Sequence, residues 1–410
     1  MDTINKVSKI KTIAFIAFLI AASSVFAQMQ GTFESGVKWT FLPNGTLVIS
    51  GEGPMPRSFP AAVPPWNPVK DRITAVIIED GVTTLTNSAF NGSAMLSSVT
   101  IGRGVTTITS GAFSRTGIVS IIIPEQIAVI ENNAFNEATK LETVYYNAVN
   151  CADIVTSYTG PPFDSNKTPA LKTVVIGDAV KRIPANIFSD VNALTSLTIG
   201  KGVTEIGDRA FRRCNNLTGI FIPGNVQTIG AFAFEGCEGM TTITIDNGVD
   251  KILHSAFSGT RITEIIIPES VATIRTSSFG SSSRLRTVYF NATNCENIDV
   301  NSPFQDSNIL EKIIFSDNVR QIPAHIAKNL TGLESVTIGS RVNQIGDFAF
   351  QGCINLEAII NKAAKPQALR NAMFFQGVDR TFCTLFVPAA SVSAYKGANI
   401  WKDFRKIEAL

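Results

Sequence analysis

The sequence predicts a repeat solenoid: a right-handed coil carrying a parallel β-sheet along one face, short helical or 3-10 turns opposite, and a β-rich N-terminal cap. Three observations lead there. A unit of about 23 residues recurs from Ile73 to residue 383. Each unit holds a short run of alternating apolar residues followed by Gly or Pro, the pattern of a half-buried strand and a turn. The two ends depart from the pattern, as the ends of a stacked array must when the last coil has no neighbour.

The repeat is plain in LTSLTIGKGVTEIGDRAFRRCNN from Leu194, LTGIFIPGNVQTIGAFAFEGCEG from Leu217 and LESVTIGSRVNQIGDFAFQGCIN from Leu333. Units open at Ile73, Leu96, Ile118, Leu141, Leu171, Leu194, Leu217, Met240, Ile262, Leu285, Leu310, Leu333 and Leu356, which makes 13. Most spacings are 22 or 23 residues, with long units at 141–170 and 285–309. In L-x-x-V-x-I the V-x-I step alternates with period two, so one strand face is buried. Gly102, Pro124, Gly200, Pro223 and Pro268 then turn the chain. An Ala-Phe pair after a short polar stretch is expected in one helical or 3-10 turn that plugs the core. With strands about 4.8 Å apart, the array is on the order of 60 Å long.

A longer repeat overlies the short one. IIIPEQIAVIENNAFNEATKLETVYYNAVNC from Ile121 returns as IIIPESVATIRTSSFGSSSRLRTVYFNATNC from Ile265, an offset of 144 residues or six units. Each copy leads into an insertion ending in Pro-Phe (Pro162-Phe163, Pro303-Phe304) and then Ile-Pro-Ala. Block duplication explains both.

Residues 28–72 form the expected N-terminal cap, with Trp39, Trp66, seven prolines and a hairpin signal at Asn44-Gly45. Residues 384–410 form the expected C-terminal cap, with Trp401. All three Trp residues fall in these ends, where a large aromatic covers an exposed coil. Ahead of the cap, residues 1–27 read as a signal peptide: Lys6, Lys9 and Lys11, an apolar run from Thr12 to Ala22, and a Val25-Phe26-Ala27 cleavage site. The mature start is placed at Gln28, and no later run reaches the roughly 18–20 apolar residues of a membrane span. The expected location is therefore secreted, cell-surface or periplasmic.

At this level of detail the unit [LI]-x-x-[VIL]-x-[IP]…V-x-x-I-G-x-x-A-F-x-x-C resembles the BspA-type leucine-rich repeat family of bacterial surface and secreted proteins. The flanks W-T-F-L-P-N-G-T-L-V-I-S-G-E-G-P-M-P and L-F-V-P-A…S-A-Y-K…W-K-D-F resemble that family's ends, so the resemblance covers nearly all of 33–410. It implies a leucine-rich-repeat solenoid, with adhesion or protein binding in some members, and it carries no catalytic residues. The long units and the IPANIF and IPAHIA variants depart from its I-G-x-x-A-F pattern.

Composition and motifs exclude several classes. Net charge is +2 with only 17% charged residues and no basic block, so nucleic acid is not an expected partner. No cofactor, metal or catalytic motif is present: neither HExxH, G-x-S-x-G, a Walker loop nor a Rossmann glycine pattern occurs. The two histidines, His254 and His325, occupy different repeat columns and read as ordinary turn residues. Six cysteines in an exported chain invite a disulfide reading. Cys214, Cys237 and Cys353 share one small-residue column, where packed free thiols are the favoured reading. A Cys214–Cys237 bond between adjacent coils stays open, although parallel side chains argue against it. Cys151 and Cys295 lie six coils apart, roughly 30 Å, and cannot bond within one chain.

The outward strand positions carry the functional expectation. Ile122, Tyr145, Phe221, Ile266, Tyr289 and Ile314 are the candidate ligand contacts, in an almost uncharged column beside a ladder of Ser and Thr (Ser98, Ser120, Thr143, Thr173, Ser196, Thr242, Thr287, Ser335). Exposed apolar area of this kind marks contact surfaces. It also serves cross-strand pairing alone. Two functions follow. The first is a non-enzymatic module that binds a protein or glycan. The second is a passive surface component that associates with copies of itself. An exported hydrolase is a remote third, resting on His254 or His325.

Overall fold

The computed structural model describes residues 29–59, 63–155, 160–369 and 372–410. The leader and the start at Gln28 lie outside the described residues. Every repeat in the array contributes one short strand to a parallel main sheet, from Ala75–Ile78 through Thr143–Tyr146 and Thr287–Phe290 to Ala358–Asn361. Equivalent residues pair in register: Thr143, Val144 and Tyr145 lie opposite Ser120, Ile121 and Ile122 on one side and Thr173, Val174 and Val175 on the other. Because a unit length is one full coil, the buried column recurs from coil to coil, as at Val144, Val174, Val288, Ile313 and Val336, with Val99 and Leu197 only partly buried.

The ladder runs past both ends of the array. Met29–Thr32, Lys38–Phe41 and Thr46–Ser50 form an antiparallel meander, with Gly45 at φ +84° in the hairpin turn. Thr46–Ser50 then pairs in parallel with Ala75–Ile78 and converts the meander into the first coil. At the other end Thr384–Val387 and Lys406–Ala409 add two more parallel strands. The single α-helix among the described residues, Val392–Gly397, links them. The antiparallel start covers one sheet edge, which would otherwise present unpaired N–H and C=O groups.

The core is a stack of rings. Phe90, Phe113, Phe135, Phe163, Phe188, Phe211, Phe234, Phe257, Phe279 and Phe304 follow one another at centroid distances of 4.8–6.0 Å, most of them nearly parallel. The Pro-Phe endings of the two insertions thus supply the ring their long units would otherwise lack. The IPAHIA variant interrupts the stack by placing Ala327 at the Phe position, with Ile326 buried beside it, and the stack resumes at Phe350 and Phe375. A buried Trp closes each end: Trp66 stacks on Phe90, and Trp401 meets Phe375 edge-on. Each indole N–H is satisfied, Trp66 donating to Ala89 O at 3.0 Å and Trp401 to Gln367 O at 2.9 Å. An aromatic lid that leaves no buried donor unpaired is what a solenoid end requires.

Opposite the main sheet the turns are isolated i→i+3 turns, such as Ala210 N to Gly207 O and Leu217 N to Cys214 O. Residues with left-handed backbone keep them from continuing as helix. Arg209 and Arg213 (both φ +55°) bracket Ala210-Phe211-Arg212, and Ser255, Ser277, His325 and Phe348 repeat the first of these positions. Their N–H groups point along the array: Arg209, Phe211 and Arg213 donate to Ala231 O, Ala233 O and Glu235 O of the next coil at 2.8–2.9 Å. Left-handed geometry costs a non-glycine residue on the order of 1–2 kcal/mol. Three inter-coil hydrogen bonds and a buried Phe offset it.

A second ladder of two-residue strands runs between the main sheet and these turns, as in Glu205–Ile206, Thr228–Ile229, Lys251–Ile252 and Thr273–Ile274. It stops at both long units, between Val129–Ile130 and Arg182–Ile183 and again between Thr273–Ile274 and Gln321–Ile322. There the inserted chain is tied down by side chains. Asp153 accepts from Arg182 Nη1 (2.5 Å) and Ala185 N (2.7 Å), which holds its carboxyl below the usual carboxylate range, and Arg182 also reaches Glu205 at 2.8 Å. Asp164 and Lys167, both buried, pair at 2.9 Å, with Lys167 Nζ also donating to Pro161 O.

All six cysteines are free thiols. Cys214, Cys237 and Cys353 fill one buried slot, their Sγ atoms donating to Phe188 O, Phe211 O and Ala327 O of the preceding coil. Ser307 makes the same bond to Phe279 O, and Thr116 and Thr260 turn theirs to Phe113 O and Phe257 O of their own coils. Ala138, Val191 and Leu330 fill the same slot with no donor, so the column selects for burial and the hydrogen bond is made only where a thiol or hydroxyl is present.

Candidate binding face

The outward side of the main sheet is built by the strand alternation. When Val144 and Tyr146 point into the core, Tyr145 must point out. The structure sets the six candidates in one column, but not as one uniform patch. Ile122 and Tyr145 are neighbours, followed by Val175. Ile266, Tyr289 and Ile314 are neighbours in turn, followed by Thr337, Ile360 and Phe386. Phe221 stands apart, paired with Thr244. Exposure divides them differently: Ile122 is 56% exposed, Tyr145 43%, Phe221 56% and Ile266 53%, whereas Tyr289 and Ile314 are half-buried.

Beside this column runs the hydroxyl ladder, Ser120 against Thr143 against Thr173 against Ser196. In the second half it is broken by charge, with Glu264 next to Thr287 and Lys312 next to Thr287 and Ser335. The first half of the face is therefore the more neutral. Ion pairs such as Lys172–Glu142 and Arg286–Glu311 bridge neighbouring coils one position before the strands, at the margin of the face.

The face is also split. Main-sheet pairing lapses between Ser98–Thr100 and Ser120–Ile123, between Ser196–Thr198 and Gly219–Ile222, and between Thr242–Ile245 and Glu264–Ile267. The first and third gaps follow 22-residue units, in which the loop before the strand is one residue short. At the third, an open slot of about 310 Å³ lies among Thr242, Thr244, Glu264 and Ile266. Ile122 and Ile266, the duplicated pair, each stand beside such a gap.

Other expected sites resolve simply. His254 is exposed and packs edge-on against Phe232, and His325 stacks on Phe348 with Nδ1 2.7 Å from Ile298 O. Among the described residues no group of three or more His, Cys, Asp or Glu is placed to hold a metal ion. No helix among them is long and apolar enough to cross a membrane. Tyr146 carries a buried hydroxyl with no hydrogen-bond partner beside the Cys151 thiol, and burial pushes both groups' pKa up. Sequence reasoning missed the exposed Ile309, Ile354 and Phe382, which lie in loops just ahead of strands rather than on them. For Ile354 the signal was an apolar residue where other units place Asn or Thr, as at Thr116, Thr139, Asn192, Asn215 and Thr331.

In-register parallel coils, stacked core rings and capped ends define a leucine-rich-repeat solenoid. Residues 69–158, 163–286 and 297–378 match the BspA type leucine rich repeat region in six copies, and the chain belongs to that family. No curated relative matches. Among solved structures the chain is similar to a leucine-rich repeat protein from Bacteroides ovatus (18% identity, 95% of this chain and 100% of that one, TM-score 0.45). It is similar to a leucine rich cell surface protein from Faecalibacterium prausnitzii (22% identity, 94% and 96%, TM-score 0.34). A third is a leucine-rich repeat protein from Eubacterium ventriosum (22% identity, 80% and 95%, TM-score 0.35).

Proposed function

We propose that the protein is an exported, non-enzymatic binding module that holds a protein or glycan on the outward face of its main sheet. The observation that carries this reading is the exposed column of Ile122, Tyr145, Phe221 and Ile266 on a rigid, hydrogen-bonded support. Aromatic and aliphatic side chains held by a sheet bind without having to be ordered first, so little entropy opposes contact. Hydroxyls at regular spacing beside them supply hydrogen bonds to a polar partner. The Lys-rich start and apolar run of residues 1–27 support export, and the match to a family of repeats supports a surface role. Neither a cofactor nor a metal enters this function.

The test is capture of surface proteins and glycans from the native environment on the immobilised protein. It is repeated with Tyr145→Ala, Phe221→Ala and Tyr289→Ala combined. Capture that disappears in the triple variant supports the reading, and undiminished capture refutes the sheet face as the contact. The same variant in sedimentation separates a foreign ligand from self-association. A wild-type oligomer that the substitutions dissolve makes the face homotypic and overturns the foreign ligand.

A further inference from the structure

A groove lies off the sheet face, near the C-terminal end, where the coils turn into the strands. An open groove of about 530 Å³ is lined by Ile309, Gly332, Ile354, Phe382, Glu334 and Glu357, among others. Its apolar side chains are exposed among polar ones: Ile354 is 56% and Phe382 61% open to solvent. Gly332 lies in the coil between Ile309 and Ile354, and a Cβ there would stand 2.1 Å from Asn308 O, so this coil contributes no side chain to the floor. Two coils span about 10 Å, enough for one extended chain to lie between Ile309 and Ile354.

The rim carries one cation, Arg286, which pairs with Glu311, and its other charges are acidic. Glu311, Glu334 and Glu357 follow the repeat Leu in three successive coils, and Asp379 closes the end. Charges in this column pair elsewhere, Glu142 with Lys172 and Glu311 with Arg286. Among the described residues neither Glu334 nor Glu357, one coil apart, has an ion-pair partner, and both are exposed. Asp379 holds its charge firmly, since Thr381 donates to its carboxylate from both hydroxyl and N–H, which lowers its pKa. Uncompensated like charges around exposed apolar area define the complement: cations flanking an apolar anchor.

We infer that this groove docks an extended peptide segment that alternates Lys or Arg with large apolar side chains, independently of the sheet face. The apolar side chains of the segment lie between Ile309 on one side and Ile354 and Phe382 on the other. Its cations meet Glu334, Glu357 and Asp379.

The probe is a fluorescein-labelled alternating Lys-Leu peptide, titrated against the purified protein by fluorescence anisotropy, with Glu-Leu and Lys-Ser peptides as counterparts. Saturable binding of Lys-Leu alone is expected. Glu334→Gln with Glu357→Gln should weaken it about tenfold, as loss of rim charges does, and raised salt should weaken it likewise. Phe382→Ala should weaken it about tenfold as well, and its exposure makes loss of folding an unsuitable explanation; an unchanged melting curve checks this. Tyr145→Ala with Tyr289→Ala should leave the peptide's binding unchanged, which separates this groove from the sheet face. Equal binding of Lys-Ser, or insensitivity to Phe382→Ala, means ion exchange only and overturns the proposal. So does absence of Lys-Leu binding, or loss of it in the sheet-face variant.

Discussion

Truncating Phe234 to Ala removes one ring from the middle of the stack. Phe234 is fully buried, with Phe211 at 5.4 Å and 12° on one side and Phe257 at 5.3 Å and 2° on the other. A buried Phe→Ala change costs about 3–5 kcal/mol from lost transfer energy and the cavity left behind. Phe234→Leu keeps most of the volume but loses two ring contacts of about 0.5–1.5 kcal/mol each, so its cost should be about 1–3 kcal/mol. Because coils contact only their neighbours, a lesion at Phe234 should also uncouple the two halves. Urea unfolding followed by Trp fluorescence reads this directly: Trp401→Phe leaves reporters at the N-terminal end, and Trp39→Phe with Trp66→Phe leaves one at the C-terminal end. In Phe234→Ala the two reporters should give midpoints further apart than in the parent. A loss below about 1 kcal/mol would refute the claim that the stack holds neighbouring coils together. Equal costs for Ala and Leu would refute the claim that volume dominates over ring contact.

Other outcomes follow from burial. Burial pushes the thiols of Cys237, Cys295, Cys353 and Cys383 up to about 12. The unfolded chain ionises near the ordinary thiol value, so the folded state binds more protons in between. These thiols therefore leave stability unaffected below about pH 8 and lower it from about pH 9 toward 12, by up to about 1.4 kcal/mol per pH unit each. Urea midpoints under reducing conditions at rising pH should show that fall, and a flat profile would contradict it. Native alkylation at pH 8 should modify Cys151, which is partly exposed, well before the five buried thiols, as peptide mass mapping would read. Asp164→Ala leaves Lys167 buried without its carboxylate and should cost about 3 kcal/mol or more in urea unfolding. Tyr145→Ala and Phe221→Ala should each cost no more than about 1 kcal/mol, since only cross-strand contacts are lost.

The period, the buried Leu, Val and Ile columns and the outward strand positions were legible from the sequence because each depends only on alternation within one coil and on near-constant coil length. Wherever coil length changes, that locality fails. Nothing in Pro162-Phe163 or Pro303-Phe304 states that its ring occupies the slot of an Ala-Phe unit, because the insertion's path is set by Asp153, Arg182 and the coils it packs on. The left-handed residues at Arg209 and Arg213 were invisible for a similar reason. Their cost is met by hydrogen bonds to a coil 22 residues away, so neither glycine nor proline marks the place. The candidate face shows the same division. Alternation aims Tyr145 and Tyr289 outward alike, yet one is exposed and the other half-buried, since their neighbours along the ladder differ. By itself the sequence determined a solenoid with a given core and a given outward column. Only the tertiary structure decided which coils separate, which outward side chains stay accessible, and that Ile354 and Phe382 meet unpaired Glu334 and Glu357 across coils, because those properties belong to the spacing between turns rather than to any one turn.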